Sequence, residues 1–333
     1  MKKIRIAQIG TSRYSHGNEI FNAIKSLSDI FEVVGYALPE GEREKFPEKM
    51  SAFEKSREMT LDEILNDSTI DAVTVETEEK YLTKYSRLAA EHNKHIHMEK
   101  PGGTDLKDFE ELTAAVKSKN TVLHIGYMYR YNPVIRRVIK AAQEGKYGKI
   151  ISVDAQMSCI QTEDMRRWLK DLKGGMMFFL GCHLVDLVLR IKGSPSNVLP
   201  LNKSTRTGDV DSKDFGLAVL EYDTGASVVK TSAVEFGGFA RRNLVITGDK
   251  KTVEIRPLEM YAESGYPNLF TEITEYSSSE WGDTGIHSKS ETYDRYLPMM
   301  KAFGKMAAGE IKNPFSLDYE LELYKTILKC CAK

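Results

Sequence analysis

Cysteine is scarce in this chain, and apolar runs of membrane-spanning length are missing. Four cysteines occur among 333 residues, and none belongs to a C-x-x-C pair. This argues against a disulfide framework or a metal site and favours a reduced, cytoplasmic protein. No apolar run approaches the ~20 residues of a transmembrane helix, and the opening MKK runs into a strand rather than a signal peptide, so we expect no membrane association.

An excess of charge of one sign is also missing. Lysine and arginine total 47 against 48 acidic residues, which gives a net charge of −1. We therefore expect no nucleic-acid partner. The length predicts about two domains, because a single hydrophobic core rarely grows beyond ~250–300 residues.

The opening segment lacks two glycines of the dinucleotide-binding fingerprint G-x-G-x-x-G. A short apolar strand ends at Gly10, and a helix pattern follows, but Ser12 and Ser15 stand where the second and third glycines belong. Backbone N–H groups at a helix N-terminus can bind phosphate without those glycines. The segment therefore still predicts a nucleotide site, whose candidate contacts are Gly10, Thr11, Ser12 and Arg13.

Strand and helix patterns alternate over residues 1–122, which predicts an α/β Rossmann-type, doubly wound parallel sheet. Over residues 123–333 strands follow one another, with turns at DTG and GDK, and NLFTEITEYS reads as one strand. This half predicts an α+β domain with a large, mostly antiparallel open sheet. We assign 1–122 to dinucleotide binding and 123–333 to substrate binding and oligomerisation, with the last helix packing back on the first domain.

Three later segments carry candidate chemistry. HIHMEKPGG follows the fourth strand, at the sheet edge where ligands bind, although a charged pair there is equally consistent with plain surface. In RYNPVIRR, Asn132 can cap the next helix. In GGMMFFLGCHLVDLVLRIKG, His183 and Asp186 lie three residues apart on one helical face. A histidine beside a carboxylate suits a general base, although a lone histidine is more often a core residue.

Taken in order, these segments resemble the Gfo/Idh/MocA oxidoreductase family, whose members include glucose-fructose oxidoreductase and inositol dehydrogenase. The opening βαβ unit, the E-K-P near residue 100, the R-Y-N-P and the G-G…G-x-H-x-x-D appear in the family's order. The resemblance spans almost the whole chain. It is specific to the family and not to a substrate.

The resemblance implies a role for each matching residue. Lys100 would hydrogen-bond the reacting oxygen close to the nicotinamide, and the Lys100–Pro101 peptide would be cis. Glu99 would lie near the nicotinamide ribose. His183 would accept the proton when an alcohol is oxidised. The remaining assignments are Asp186 as the partner of His183, Thr77 as a cofactor contact, and Arg130 and Phe179 as substrate contacts.

Two departures from the family pattern concern the cofactor. Leu38 stands where an acid usually holds the ribose 2′-OH of NAD, and Glu40 follows two residues late. Because that acid is missing and Arg13 is near, we expect NADP to be accepted at least as well as NAD. Thr77 is followed by Glu78 and another glutamate, which are awkward beside an anionic cofactor unless they face away.

A third departure concerns the substrate, since Phe179 stands where many members carry an aspartate four residues before the histidine. The substrate is then held differently, or activity is reduced. The sequence favours an NAD(P)-dependent oxidoreductase acting on a hydroxyl or carbonyl of a sugar, polyol or related small polar metabolite. The alternatives are a nucleotide-binding regulatory protein of the same fold, or an enzyme that uses NAD transiently, as in glycosidic-bond cleavage.

The strands of the second half carry apolar side chains on both faces. In GLAVLEY, Leu217 and Val219 point to one face, and Ala218 and Leu220 to the other. A sheet with two apolar faces and helices on one side needs a partner. Members of the resembled family often assemble through this face, so we expect a homodimer or homotetramer.

Overall fold

The computed structural model describes residues 3–332 and divides into two units. The first unit comprises the chain up to Met128 together with Tyr296–Leu321, and the second comprises Tyr129–Arg295 and the chain from Glu322 onward. This division differs from the expected 1–122 and 123–333. Residues 123–128 stay in the first unit because their strand pairs in its sheet, and a C-terminal segment returns to it.

The first unit is built on a parallel sheet, as predicted. Within residues 3–332 its strands are β1 (Ile4–Ile9), β2 (Phe31–Ala37), β3 (Ala72–Val75), β4 (His95–Met98) and β5 (Leu123–Ile125). Their order is β2-β1-β3-β4-β5, and every residue of β3 and β5 is buried, as in a sheet covered on both faces. The order reverses beside β1, so the carboxyl ends of β1 and β3 border the crevice where such sheets bind ligands.

Helices alternate with these strands. They are α1 (Gly17–Ser26), α2 (Glu42–Lys45), α3 (Leu61–Asn66), α4 (Leu82–Glu91) and α5 (Leu106–Lys119), with 3₁₀ turns at Pro47–Phe53 and Glu79–Tyr81. Asp105 caps α5, since its carboxylate accepts the N–H of Lys107 at 2.8 Å.

A late helix, α9 (Leu297–Ala307), also belongs to the first unit. Gly304 lets it approach β2 closely, because a Cβ at this position would lie 2.4 Å from Cγ2 of Ile30. The neighbouring Phe303 stacks near Phe31, with ring centroids 6.4 Å apart. The last helix, α10 (Leu317–Cys330), begins in the first unit and ends in the second, so only its first residues fulfil the expected return.

The second unit holds a large sheet. Among the described residues its strands are β6 (Ile150–Ser158), β7 (Asn197–Lys203), β8 (Phe215–Glu221), β9 (Ala226–Ser232), β10 (Asn243–Gly248), β11 (Thr252–Ile255), β14 (Glu272–Tyr276) and β15 (Ile286–Lys289). Their order is β15-β14-β11-β10-β6-β9-β8-β7. The β8–β9 and β10–β11 hairpins turn where predicted, and the β6–β9 pair is parallel in this otherwise antiparallel sheet.

A smaller sheet corrects one prediction. It contains β12 (Met260–Tyr261), β13 (Asn268–Phe270) and β16 (Tyr293–Asp294). The segment read as one strand, NLFTEITEYS, is therefore split between two sheets, β13 in the small one and β14 in the large one. Thr271 marks the break, because its buried hydroxyl donates to the carbonyl of Leu258 at 2.9 Å and its N–H to Ser290 Oγ at 3.0 Å.

The helices of the second unit are α6 (Pro133–Gln143), α7 (Glu163–Trp168) and α8 (Cys182–Lys192), with 3₁₀ turns at Leu169–Asp171 and Thr207–Asp209, and another at Met128–Tyr131. Asn132 caps α6 as predicted, accepting the N–H of Val134 at 2.9 Å. The predicted long helix before Gly193 begins instead with a π-helical turn, Met177–Gly181, which leads into α8.

No helix within residues 3–332 is both long and apolar enough to cross a bilayer. No disulfide joins the four cysteines of that part of the chain. Its histidine, cysteine and acidic side chains form no group of three or more that could hold a metal ion.

Candidate active site

The turn after β1 brings Gly10 against Thr77, which follows β3. Gly10 has a φ of 77°, and a Cβ there would lie 2.2 Å from Thr77 Cγ2. Glycine is therefore required by both the backbone conformation and the close approach. Two predicted cofactor residues, far apart in sequence, meet at this point.

The next residues show how the loop closes without further glycines. Ser15 Oγ accepts the N–H groups of Ser12 and Gly17, each at 3.2 Å, so its hydroxyl closes the turn at the start of α1. Thr11 is fully buried, and its hydroxyl has no hydrogen-bond partner within residues 3–332. A buried, unpaired donor at this turn fits a ligand oxygen, and in this respect the loop suits a nucleotide.

Arg13 is not part of this buried cluster. Its side chain is exposed, and its Nε lies 4.0 Å from Oε1 of Glu48, which is equally exposed. Such a pair contributes little to stability. The structure therefore brings Gly10, Thr11 and Thr77 together and leaves Arg13 outside.

An acid near Gly10 was missed in the sequence. Glu40 is held by Lys84 at 2.8 Å and by the hydroxyl of Tyr85. Glu42 is instead the fully buried acid, and a Cβ on Gly10 would lie 2.9 Å from its Oε1. Its Oε2 accepts the N–H of Glu40 at 2.8 Å, and its Oε1 has no hydrogen-bond partner in the described part of the chain. The sequence feature that could have identified Glu42 is Gly41, because its left-handed conformation changes the direction of the chain between the two acids.

The Glu99–Lys100 pair is buried rather than surface decoration. The Lys100–Pro101 peptide is cis, as the resemblance implied. Glu99 Oε1 accepts the N–H of Lys100 at 3.0 Å and lies 3.8 Å from its Nζ, and both residues are at most 5% exposed. Burial raises the pKa of Glu99, and the charge of Lys100 opposes this rise. One carboxylate thus holds both the backbone and the ammonium of the lysine.

A further row of buried titratable side chains lies at this sheet edge. Glu76 Oε1 lies 3.7 Å from Nε2 of His97, whose Nδ1 is 2.7 Å from Nδ1 of His124. Burial, with the charge of Glu99, raises the pKa of Glu76 well above its usual range, and burial lowers that of His97 to about 3. The imidazole of His97 is therefore neutral, and the charged form of the Glu76 carboxyl beside it is disfavoured. Sequence reasoning missed these residues because nothing local marks them as neighbours.

The two acids after Thr77 have different surroundings. Glu78 is partly exposed, and its carboxylate lies 3.6 Å from Lys80 and 3.9 Å from Lys45. Glu79 is buried, and burial raises its pKa from an ordinary 4.5 to about 7, against the opposing charge of Lys100. The acid that faces inward is therefore the one that loses its charge most easily.

In the second unit, His183 is buried on α8 beside Tyr129. The two rings meet edge to face, with centroids 5.1 Å apart and planes at 84°. The hydroxyl of Tyr129 donates to Glu259, which also accepts hydrogen bonds from Arg242 at 2.9 Å and Arg295 at 2.6 Å. This network fixes the aromatic wall against which the histidine ring lies.

Asp186 and Arg130 form a buried ion pair. The Nε and Nη2 of Arg130 donate to Asp186 at 3.0 and 2.8 Å, and both side chains are 1% exposed. The pair ties the R-Y-N-P segment to the helix that carries His183. The structure thus joins two residues to which the sequence gave separate roles.

Phe179 lies in the π-helical turn, four residues before His183. Its ring packs edge-on against Trp168, with centroids 5.4 Å apart, and the side chain is buried. The π turn gives way to α8 between Phe179 and His183. Such turns are frequent at functional sites. Trp168 was missed, and no local pattern singled it out.

We expect the charge of Glu79 to make stability depend on pH. The folded protein holds this proton more tightly than the unfolded chain, so the contribution is fully present below pH 4.5 and is lost as the pH rises through 7. Glu79→Gln should therefore raise the free energy of unfolding by up to about 3 kcal/mol above pH 7 and leave it unchanged near the ordinary pKa. Urea unfolding at both ends of this range measures the difference.

Glu78→Gln is the matched control, because it removes a charge from the neighbouring, partly exposed position. Glu78→Gln should change the free energy of unfolding only slightly, and by the same amount at both pH values. An identical gain for Glu79→Gln in acid and in alkali would contradict the assignment of the pH dependence to Glu79.

Comparison with known proteins places this geometry in a family. Residues 4–127 match the model of the GFO/IDH/MocA oxidoreductase family's NAD-binding Rossmann fold. Residues 135–254 match the model of the GFO/IDH/MocA C-terminal domain. The first match covers β1 to β5, and the second covers α8 and much of the large sheet.

Two curated relatives are D-xylose 1-dehydrogenase (NADP(+)) 2 of Haloferax volcanii and scyllo-inositol 2-dehydrogenase (NADP(+)) IolW of Bacillus subtilis. The first is 30% identical over 49% of this chain and 50% of its own length. The second is 23% identical over 71% of this chain and 64% of its own length. The match thus spans half of the length of the first relative and less than two thirds of the length of the second.

Among solved structures, KijD10 of Actinomadura kijaniata, a 3-ketoreductase in complex with NADP and TDP-benzene, superposes with a TM-score of 0.78. The match covers 98% of this chain and 96% of that one at 17% identity, which shows a shared fold. With both family models matched in order, the chain belongs to the GFO/IDH/MocA family of oxidoreductases.

Proposed function

We propose that the protein is an NAD(P)-dependent oxidoreductase that acts on a hydroxyl or carbonyl of a sugar, polyol or related small polar metabolite in the cytoplasm. The buried Glu99–Lys100 pair at the end of β4, in a domain that matches the NAD-binding model, carries this proposal. The substrate class is supported by relatives named as xylose and inositol dehydrogenases.

In the proposed reaction, bound nicotinamide supplies the hydride acceptor or donor. The ammonium of Lys100 donates a hydrogen bond to the reacting oxygen and stabilises the charge that develops there. Glu99 holds this ammonium from the other side. His183 accepts the hydroxyl proton during oxidation and returns it during reduction.

The other residues of the second unit position this histidine. Asp186 shares its helix and is held by Arg130, and Tyr129 is held by Glu259. We therefore assign Arg130 and Asp186 to positioning, with Asp186 orienting His183. Phe179 remains the proposed substrate contact, as an apolar wall supported by its packing on Trp168.

Replacing Lys100 or His183 should remove turnover while leaving the nucleotide bound. Proton transfer by a positioned group is worth ~10²–10⁴ in rate, so His183→Ala should lower kcat by a factor in that range. Lys100→Met should cost at least as much, because it removes the donor to the reacting oxygen. Steady-state kinetics on a polyol and sugar panel, with fluorescence titration of the nucleotide, measures both effects.

Lys107→Met, on the exposed face of α5, is the control and should behave as wild type. Phe179→Asp should raise activity on simple polyols if the wall excludes hydroxyl-rich substrates. A wild type that binds nucleotide but stays inert on the whole panel would support the regulatory alternative. NAD retained through purification without net consumption would support transient use.

We also propose that Glu42 contacts the adenosine ribose and makes NAD the preferred cofactor. Its unpaired Oε1 beside Gly10 supports this, because an acid near the first glycine turn is what holds the ribose hydroxyls. A 2′-phosphate lacks the hydroxyl donor that this oxygen would accept from the ribose of NAD. This proposal reverses the expectation drawn from Leu38 and Arg13.

Calorimetric titration of both nucleotides tests the preference. Wild type should bind NAD more than tenfold tighter than NADP, a difference above ~1.4 kcal/mol. Glu42→Ser should lower the ratio of the NADP to the NAD dissociation constant at least tenfold, because NADP binds better. Glu44→Ser, on the exposed side of the same helix, should leave this ratio unchanged. Equal or tighter binding of NADP by wild type would overturn the role of Glu42.

The open face of the large sheet supports a proposal of self-association. Leu199, Val219 and Val228 are aligned across β7, β8 and β9, and Leu201 faces Leu217 in the same way. Leu199 and Leu201 are 50% and 48% exposed. A continuous apolar row of this kind is what a second copy of the chain would cover.

We expect at least a dimer by light scattering at micromolar concentration. Val219→Lys should shift the mass to that of a monomer, because it places a charge in the middle of the apolar row, between Leu199 and Val228. Thr224→Lys, in the exposed β8–β9 turn, should leave the mass unchanged. A monomeric wild type would refute the proposal.

A further inference from the structure

The second unit contains a cavity of about 690 Å³ that the proposed reaction does not use. Its walls are residues 169–170 and 172–174, the end of β7, residues 211–213 and the end of α10. None of the residues given a catalytic, cofactor or positioning role above lines it. The volume is that of pockets that hold small organic ligands.

The rim of this cavity is positively charged. Its charged lining residues within the described chain are Lys170, Lys173, Lys203, Lys213 and Asp211. Neither Lys203 nor Lys213 has an ion-pair partner among residues 3–332. Four ammonium groups against one carboxylate give the rim an excess of positive charge, which attracts an anion.

The floor of the cavity is apolar. It contains the buried side chains of Leu169 and Leu172 together with Leu328 and Cys331. Burial raises the pKa of the Cys331 thiol well above its usual range, so the sulfur adds no charge to the floor. An apolar body would pack on this surface and would remove from water only the part of it that is still exposed, at a gain of roughly 25 cal/mol per Å².

One polar group interrupts the apolar wall. Ser212 lines the cavity and is 95% buried, and its hydroxyl has no hydrogen-bond partner within the described residues. A buried hydroxyl of this kind calls for an acceptor. The carboxylate or phosphate oxygen of a ligand is such an acceptor, and it is the same group that the lysines attract.

The cavity is preformed by backbone packing. A Cβ on Gly174 would lie 2.5 Å from Cβ of Cys331, and a Cβ on Gly175 would lie 2.2 Å from the carbonyl oxygen of Lys213. That carbonyl also accepts the N–H of Met176 at 2.8 Å. The wall segments are therefore held against one another in the absence of a ligand, which lowers the entropic cost of binding.

We propose that this cavity binds an amphiphilic organic anion, whose apolar chain or ring packs on the leucine floor and whose carboxylate or phosphate meets Lys203, Lys213 and the Ser212 hydroxyl. An inorganic anion without an apolar group would leave the exposed part of the apolar floor in contact with water. A neutral apolar molecule would leave the lysines and the serine without partners. A cation would be repelled by the rim.

A matched ligand series tests this in the wild-type protein. Octanoate, octan-1-ol, octylammonium and inorganic phosphate are titrated by calorimetry at one ionic strength. Octanoate should bind saturably and at least tenfold more tightly than octan-1-ol, whereas octylammonium and phosphate should show no saturable binding. Equal binding of octanoate and octylammonium, or no saturable octanoate binding up to about 10 mM, would overturn the proposal.

Variants locate the site. The double variant Lys203→Gln/Lys213→Gln should weaken octanoate binding at least tenfold, because it removes the two rim charges without ion partners. Lys117→Gln/Lys119→Gln, two exposed lysines at the end of α5, should leave it unchanged. Thermal unfolding confirms that each variant folds. An unchanged affinity in the first double variant would place octanoate elsewhere and refute the assignment, and the ligand series decides if that variant fails to fold.

Discussion

Desolvation of carboxyl groups at the carboxyl edge of the parallel sheet is the constraint on which the first unit depends. Glu42, Glu76 and Glu99 are all buried there, and an isolated charge in a medium of low polarity is costly. Burial accordingly raises the pKa of each acid. An upward shift of the pKa lowers the charged fraction of each acid and so weakens the repulsion that these acids would exert on a pyrophosphate. An acid-rich sheet edge is in this way compatible with an anionic cofactor.

The same constraint shapes the lysine of the E-K-P motif. The raised pKa values of Glu76 and Glu99 weaken the negative charge beside the ammonium of Lys100. Glu99 opposes it at 3.8 Å and is itself fixed by the backbone N–H of Lys100. The direction of the ammonium and the course of the chain at the strand end are therefore coupled. A hydrogen bond to a developing alkoxide requires this kind of fixed donor.

The sequence patterns predicted those features of the fold that depend on interactions between residues close in the chain. The strands of the parallel sheet, β6 and β8 to β11 of the large sheet, the Asn132 cap and the DTG hairpin follow from residue order within a few positions. Three other features do not follow from residue order. The split at Thr271 depends on one hydrogen bond, and the π turn before His183 depends on one extra residue per turn. The inward direction of Glu42 depends on one left-handed glycine. The Arg130–Asp186 pair spans 56 positions, and no period in the sequence reveals it. The resemblance supplied the cis peptide, which composition could not.

The second unit buries ion pairs around a single helix. Replacing such pairs with apolar side chains often leaves stability unchanged or improves it, so their presence argues for geometry rather than for stability. Arg130 forms an ion pair with Asp186 on the helix of His183. Glu259 accepts hydrogen bonds from two arginines and from Tyr129, whose ring lies against that of His183. Two networks from distant segments thus fix the same imidazole from its helix and from its face. This fixed orientation supports the proposed role of His183 as the proton acceptor, because a proton is transferred only to a ring nitrogen within hydrogen-bond reach.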